Sequence, residues 1–164
     1  MRVVKNGFSL VELIVAVTVI LVLTGVGVTT FSGLAQSRKM ITVRNELVSW
    51  LNLARNLAIT GQLPDKSLGL SYIKVSIGNG NITASGMRNS SDGTTFFNQV
   101  IDPNKGIGVS VVGLGGSQAF GFSKGNGKLT NAVGNLIGQT ITLVLSGGVS
   151  DSVVISDLGI INEN

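Results

Sequence analysis

The stretch that decides the fold is Lys5-Asn6-Gly7-Phe8-Ser9-Leu10-Val11-Glu12-Leu13, and the residues that follow, from Ile14 to Val28, are apolar or small and carry no charge. Glu12 is therefore a carboxylate within a strongly apolar segment. A charged side chain near the centre of a membrane helix costs about 2.5–3.5 kcal/mol on insertion scales, so such a residue is a candidate for a functional role. In the alternative interpretation, Glu12 lies near the helix start and reaches the lipid head groups.

The residues around Glu12 also follow a specific order. Two basic residues, Arg2 and Lys5, precede Gly7, and Glu12 stands four positions after Phe8. Together with the uninterrupted apolar helix, this order resembles the class III signal of type IV pilins and type II secretion pseudopilins. The resemblance covers the first part of the chain, up to about Thr30.

The resemblance implies that residues 1–7 are a prepilin leader. A prepilin peptidase would cleave between Gly7 and Phe8, and Phe8 would then be N-methylated. The resemblance also implies that Glu12 pairs with the free amine of Phe8 in a neighbouring subunit. An ordinary secretory signal has its small-residue cleavage site after the apolar region, where this chain has only Thr24-Gly25-Val26, a poor substitute. We therefore expect the product to keep the apolar helix.

The apolar segment of residues 8–30 is long enough to cross a hydrocarbon core of about 30 Å. Positive charges at Arg2 and Lys5 hold the leader in the cytoplasm. We therefore expect a single-pass protein of the inner (cytoplasmic) membrane whose C-terminal domain lies outside. Gly25 and Gly27 indicate either a point where this helix bends or only the ordinary frequency of glycine in membrane helices.

A one-sided pattern follows over residues 31–61. Apolar residues at three- and four-residue steps define one helical face: Met40, Val43, Leu47, Trp50, Leu51, Ala54, Leu57 and Ala58. Trp50 is expected in the core because it falls on this face. Gly61 is a predicted helix C-cap, and Pro64 prevents continuation of the helix. The pattern predicts an amphipathic helix packed on the globular domain.

Short alternating runs separated by glycine-rich turns predict a β-rich globular domain over residues 62–164. The predicted strands are Ser71–Ile77, Asn81–Met87, Thr94–Ile101, Ile107–Leu114, Gln118–Ser123, Gln139–Leu145, Ser152–Ser156 and Gly159–Ile161. Gly78-Asn79-Gly80 predicts a hairpin between the first two strands, and Ser146-Gly147-Gly148 predicts a second hairpin that joins Gln139–Leu145 to Ser152–Ser156. Residues 131–138 receive no assignment. The fold class is α+β: a long N-terminal helix, transmembrane in its first half and amphipathic in its second, packed on a C-terminal antiparallel β-sheet domain. The family resemblance implies that this is the pilin fold.

Three stretches of the β domain extend the resemblance. They are similar to the domain of H-type pseudopilins and related minor pilins: Phe120-Gly121-Phe122-Ser123-Lys124-Gly125, Thr140-Ile141-Thr142-Leu143 and Val153-Val154-Ile155-Ser156-Asp157-Leu158-Gly159. Some of those relatives capture DNA through a C-terminal Gly-Arg-x-Arg motif. The matching stretch here, Gly159-Ile160-Ile161-Asn162, has no arginine, and phosphate contacts supply most non-specific affinity for DNA. DNA binding by this tail is therefore not expected. Lys124 and Lys128 flank a turn and could contact a nucleic-acid backbone, but two lysines in a loop are more often only solvated.

The composition argues against catalysis. The chain has no cysteine and no histidine, which removes thiol chemistry, disulfides and the commonest general base and metal ligand. The glycine-rich Gly113-Leu114-Gly115-Gly116 lacks the Lys-Ser/Thr pair and the helix of a phosphate loop. Asp102-Pro103-Asn104 supplies only one carboxylate, which is weak evidence for a calcium site. We expect no enzymatic activity, no cofactor and no metal. The formal charge of +4 includes Arg2 and Lys5, so the chain from Phe8 onward carries +2.

These observations predict a structural subunit, a minor pilin or pseudopilin, of a type IV pilus or a type II secretion filament. The expected partners are other pilin or pseudopilin subunits, the prepilin peptidase, the inner-membrane assembly platform and, before assembly, membrane lipid. Two alternatives stay open. One is a DNA-uptake or tip-binding module whose β domain binds a ligand. The other is a surface protein anchored by an uncleaved helix.

Overall fold

The structure is a computed structural model that describes residues 9–62, 69–78, 81–88, 93–100 and 106–163, without the side chains of 26–32 and 94–100. The chain divides into two compact units, Met1–Ser37 and Arg38–Asn164, each of which is described by itself. Several predicted features lie outside the described residues: the leader with Arg2 and Lys5, the processing positions Gly7 and Phe8, and the loop Asp102-Pro103-Asn104.

The described residues form one α-helix and nine strands, which confirms the predicted α+β class. The elements are α1 (Leu10–Thr60), β1 (Tyr72–Gly78), β2 (Asn81–Met87), β3 (Gly93–Val100), β4 (Gly108–Val112), β5 (Ala119–Ser123), β6 (Leu129–Asn131), β7 (Ile141–Ser146), β8 (Ser150–Ile155) and β9 (Ile161–Glu163). The helix ends where the C-cap prediction placed its end. Gly61 has a φ of 66°, and its N–H donates to the Leu57 carbonyl at 2.9 Å, a left-handed cap that glycine adopts without strain.

The strands form two antiparallel sheets. The first has the order β3-β2-β1-β5-β6 and the second the order β4-β7-β8-β9. The two predicted hairpins, β1 with β2 and β7 with β8, are confirmed by their ladders. The strand predicted at Gly159–Ile161 instead begins at Ile161. Residues 156–160 form a turn, in which the Ser156 N–H donates to the Ile160 carbonyl at 2.9 Å and the Gly159 N–H to the Ser156 carbonyl at 2.8 Å.

The core of the second unit is built on one stripe of α1. The stripe is fully buried and consists of Met40, Val43, Leu47, Leu51, Ala54 and Ala58. Buried side chains from both sheets belong to the same core, including Ile73, Phe120, Phe122, Leu143 and Ile155. The Phe120 and Phe122 rings meet edge to face with centroids 5.9 Å apart. The expectation for Trp50 was wrong: it is only half-buried, because the buried stripe is narrower than the full apolar face.

Backbones approach closely where the helix ends. The Gly125 N–H donates to the Ala58 carbonyl at 3.0 Å, which satisfies a carbonyl of the last helical turn. A Cβ atom at Gly159 would lie 2.0 Å from the Gly127 carbonyl oxygen, and one at Gly127 would lie 2.9 Å from Cγ1 of Ile59. Both positions also have positive φ. Only glycine therefore fits at these two turns.

The two sheets are joined by specific hydrogen bonds. The Leu129 N–H in β6 donates to the Asp157 carbonyl, in the turn after β8, at 3.0 Å. The Val111 N–H in β4 donates to Oε1 of Gln118, just before β5, at 2.9 Å. These bonds satisfy polar groups where the sheets meet and thereby fix the sheets to each other.

Arg44 fastens the helix to the second sheet. Its Nη1 lies 3.3 Å from Oδ2 of Asp151 in β8, and its Nη2 lies 3.2 Å from Oε2 of Glu163 in β9. The Arg44 and Asp151 side chains are 21% and 18% exposed, whereas Glu163 is 45% exposed. Because desolvation strengthens a charged hydrogen bond, the contact with Asp151 is expected to contribute more than the contact with Glu163.

We expect Arg44→Ala to lower the free energy of unfolding by about 1–2 kcal/mol, because it leaves the Asp151 carboxylate partly buried without its cation. Glu163→Gln, the control at the exposed end of the same contact, is expected to cost less than about 1 kcal/mol. Urea denaturation of both variants measures the difference. Equal losses would contradict the ranking of the two contacts.

Tyr72 lies on the face of the first sheet opposite the core. Its side chain is buried, and its hydroxyl donates to the Ala132 carbonyl, in the loop after β6, at 3.2 Å. Gly134 lies against the ring, since a Cβ there would come within 2.6 Å of two ring carbons. Burial raises the pKa of the Tyr72 hydroxyl above its ordinary value of 10.0. The folded state therefore favours the neutral phenol.

Because the pKa is raised, the stabilisation by neutral Tyr72 is fully present below about pH 10 and is lost as the pH rises further. We expect Tyr72→Phe to cost about 1 kcal/mol near neutral pH through the lost hydrogen bond and to show a smaller decline of stability at alkaline pH than the parent chain. Denaturation at a series of pH values tests this. Tyr72 is the one tyrosine of the chain, so phenolate absorbance follows its ionisation directly. Identical alkaline declines would contradict the prediction.

A candidate assembly site at the start of the helix

The first turn of α1 is closed by Ser9 and Glu12. The Glu12 N–H donates to Oγ of Ser9 at 3.2 Å, while the Ser9 N–H donates to Oε2 of Glu12 at 3.2 Å. The Ser9 hydroxyl also lies 3.3 Å from the same carboxylate oxygen. This reciprocal arrangement is a capping box, which satisfies two backbone donors that an open helix end leaves without partners.

Glu12 thus has a structural role at the helix start that the free-energy cost of its burial did not indicate. The signal was present in the sequence, because Ser-x-x-Glu before an apolar run is the pattern of a capping box. The position also suits a negative charge, since the N-terminus of a helix carries partial positive charge. Both described contacts go to Oε2. Within the described residues, Oε1 has no partner.

The helix surface around Glu12, from Leu10 to Leu23, is apolar on every side apart from this carboxylate. In the isolated chain its large side chains are all exposed, from 47% at Val17 to 76% at Leu10. The set is Leu10, Val11, Leu13, Ile14, Val15, Val17, Val19, Ile20, Leu21, Val22 and Leu23. A helix that is hydrophobic all round is normally buried in a core or in a membrane. This first segment therefore requires an apolar covering from outside the chain.

The hydroxyl groups within this segment are satisfied by the helix itself. Oγ1 of Thr24 donates to the Ile20 carbonyl at 2.7 Å, and Oγ1 of Thr18 donates to the Ile14 carbonyl. Such bonds to the preceding turn let threonine enter an apolar environment without an unpaired donor. Between Ser9 and Gly25, Glu12 is the one charged residue. In an apolar environment its carboxylate is therefore the group that still needs a partner of opposite charge.

The other predicted candidates lie elsewhere. Lys124 and Lys128 are exposed around the β5–β6 turn. The tail stretch compared with a DNA-capture motif forms the turn 156–160 and β9, where Glu163 pairs with Arg44. In the described part of the chain, no group of three acidic, histidine or cysteine residues is placed to hold a metal ion. No helix in that part contains a stretch both long and apolar enough to cross a membrane.

Comparisons with known proteins give no assignment: no protein-family model, no curated protein and no solved structure matches this chain.

We expect Ser9→Ala to destabilise the first turn of α1 by about 1 kcal/mol, because it removes the acceptor for the Glu12 N–H. Amide hydrogen exchange of residues 10–13 in detergent micelles measures the effect, with faster exchange expected. Ser9→Thr keeps a hydroxyl and is the matched control. Unchanged exchange in Ser9→Ala would show that the capping box does not hold this turn.

Proposed function

We propose that this chain is a prepilin-like structural subunit of a type IV pilus or a type II secretion filament. The observation that carries the proposal is the start of α1: an all-round apolar, exposed helix surface whose single carboxylate lies in the first turn. Such a surface suits a segment that is first covered by lipid and later by the equivalent helices of other subunits. The ordered sequence Gly7-Phe8-Ser9-Leu10-Val11-Glu12 supports the same assignment.

In this proposal, a prepilin peptidase cleaves between Gly7 and Phe8, and the membrane holds the product through residues 8–30. The new amine at Phe8 then lies one residue before Ser9, at the same helix end as Glu12. The assembly platform brings subunits together, and their apolar helices pack as the centre of a fibre. The unit from Arg38 to Asn164, whose buried core is its own, supplies the fibre surface. The proposal therefore includes the assignment of this fold as a pilin fold.

Glu12 supplies the register between subunits. A carboxylate and an amine that meet in hydrocarbon compensate each other's burial, and only one axial offset brings them together. The capping box contributes by holding Oε2, while Oε1 is the oxygen left for an amine on a neighbour. Loss of one partner from a buried ion pair costs about 3–5 kcal/mol, because the other charge stays buried alone.

We expect Glu12→Ala to reduce incorporation into filaments at least about a hundredfold, as a loss of 3 kcal/mol or more implies. Glu12→Gln, which keeps the shape but not the charge, is expected to show a similar loss. The measurement is the amount of subunit in sheared filaments from cells that carry a prepilin peptidase and an assembly platform. Glu46→Gln, an exposed acid on the same helix, is the control and is expected to assemble normally.

Two further readouts separate assembly from earlier steps. The Glu12 variants are expected to stay in the membrane fraction and to begin at Phe8 by N-terminal mass spectrometry. Normal filament yield from Glu12→Ala would overturn the register role. A mature chain that begins elsewhere would overturn the cleavage site, and fractionation with membranes but never with filaments would favour an anchored surface protein.

A further inference from the structure

The outer edge of the first sheet is closed by two turns that meet at Leu129. Its N–H donates to the Asp157 carbonyl at 3.0 Å, and its carbonyl accepts from the Ile137 N–H at 3.0 Å. The N–H and C=O of one strand residue point to the same side of the strand. The turn 156–160 and the loop 131–137 therefore lie next to each other along the outer edge of β6.

Four large apolar side chains are exposed at this edge. Val133 and Leu136 belong to the loop and are 50% and 62% exposed, while Leu158 and Ile160 belong to the turn and are 48% and 47% exposed. We call these four residues, with Lys128 and Asp157 beside them, the β6-edge surface. Clusters of exposed apolar side chains with polar neighbours mark interaction sites more often than scattered single ones do.

Local hydrogen bonds support the loop conformation that exposes these side chains. Oδ1 of Asn131 accepts from the N–H groups of Val133 and Asn135 at 3.1 and 3.0 Å. The Tyr72 hydroxyl holds the Ala132 carbonyl, and Gly134 rather than an apolar side chain covers the Tyr72 ring. Because the loop is already ordered, a partner that covers Val133 and Leu136 would lose little conformational entropy.

The charges at this surface suit a second copy of this chain. Lys128 precedes Leu129, and Asp157 is bonded to Leu129 through its backbone, so a cation and an anion flank the residue at which the loop and the turn meet. Both are exposed, and neither forms an ion pair within the described residues. A surface with one charge of each sign is complementary to itself after a two-fold rotation. We propose that the β6-edge surface is a contact between two copies of this chain, with Lys128 of each copy facing Asp157 of the other.

The contact is expected to be weak. Four half-exposed side chains supply less than the roughly 800 Å² per partner of a stable complex. It would therefore be filled mainly where copies are concentrated in one membrane before assembly, since tethering raises the effective concentration to the millimolar range. Axially offset neighbours in the proposed filament are not related by a two-fold axis, so the biological use of the contact rests on the membrane-held stage of the proposed function. Its existence does not, because it involves residues of the second unit only.

The test uses the full chain in detergent micelles and takes advantage of the absence of cysteine. Leu136→Cys places a thiol in the β6-edge surface, and Val112→Cys, at a position 55% exposed in β4, is the matched control. A short bis-maleimide is expected to link Leu136→Cys chains to each other at least about tenfold more than Val112→Cys chains. Equal linkage at both positions would overturn the proposal.

A charge exchange then tests the pairing itself. In the Leu136→Cys background, Lys128→Glu and Asp157→Lys each place like charges opposite each other in a pair of identical chains, so each alone is expected to lose linkage about tenfold. When the two variants are mixed, both charge pairs become attractive between unlike chains. Linked heteropairs are expected to return to the parent level. These substitutions leave the backbone bonds of both residues in place.

The outcomes are distinguishable. Recovery in the mixture supports the contact between copies, since no intramolecular effect produces it. Linkage that does not respond to the charge changes would overturn it. Glu12→Ala in the same micelle assay is expected to leave linkage unchanged. Loss of filament assembly and loss of this contact are therefore separate results.

Discussion

The second unit depends on the burial of a single helical stripe. Six residues of α1, from Met40 to Ala58, are at most 2% exposed, and the core from both sheets closes over them. The side chains of the stripe become smaller toward its C-terminal end, where the buried residues are Ala54 and Ala58. Small side chains let the loop at Gly125 reach the Ala58 carbonyl. The glycines at 127 and 159 continue this close approach, so the end of the helix, the β5–β6 turn and the turn after β8 fit together as backbones. A larger residue at any of these positions would force the layers apart.

The part of α1 before residue 38 has a different kind of surface. Among residues 9–25 no side chain is buried, and the polar groups are instead satisfied locally: the hydroxyls of Thr18 and Thr24 by the preceding turn and the first N–H groups by Ser9 and Glu12. The second part places polar and charged residues on the sides of the stripe, and Arg44 uses that position to hold β8 and β9. One continuous element thus carries two surface chemistries. The change between them is visible as a change from all-round to one-sided hydrophobicity.

The features that were predictable from the sequence are those with local signals. Helical periodicity, Gly61 and the Asn and Gly turns predicted the end of α1 and two hairpins, because each depends on residues close in the chain. The division into two sheets was not predictable in this way, since β1 pairs with β5 across a long separation. β6 was missed because three residues give no periodicity, and Leu129 is held by Asp157 and Ile137 rather than by a neighbour in sequence. The ion pairs of Arg44 were not predictable in this way either, because its partners follow more than a hundred residues later.

Glu12 illustrates how a carboxylate whose burial is energetically unfavourable can have two roles at one position. Its capping role requires a short polar side chain three positions earlier, which Ser9 provides, and uses one oxygen. A pairing role between subunits would require an amine near the other oxygen. The two roles are compatible because a carboxylate has several acceptor sites. They also support each other: a carboxylate held by Ser9 has lost rotational freedom before a neighbour arrives, so less entropy remains to be lost when an ion pair forms. A glutamate four positions further along the helix would lack both Ser9 and the partial positive charge of the helix end. In the proposed assembly, the first helical turn is therefore the one place in the apolar segment where this charge is partly compensated before a partner binds.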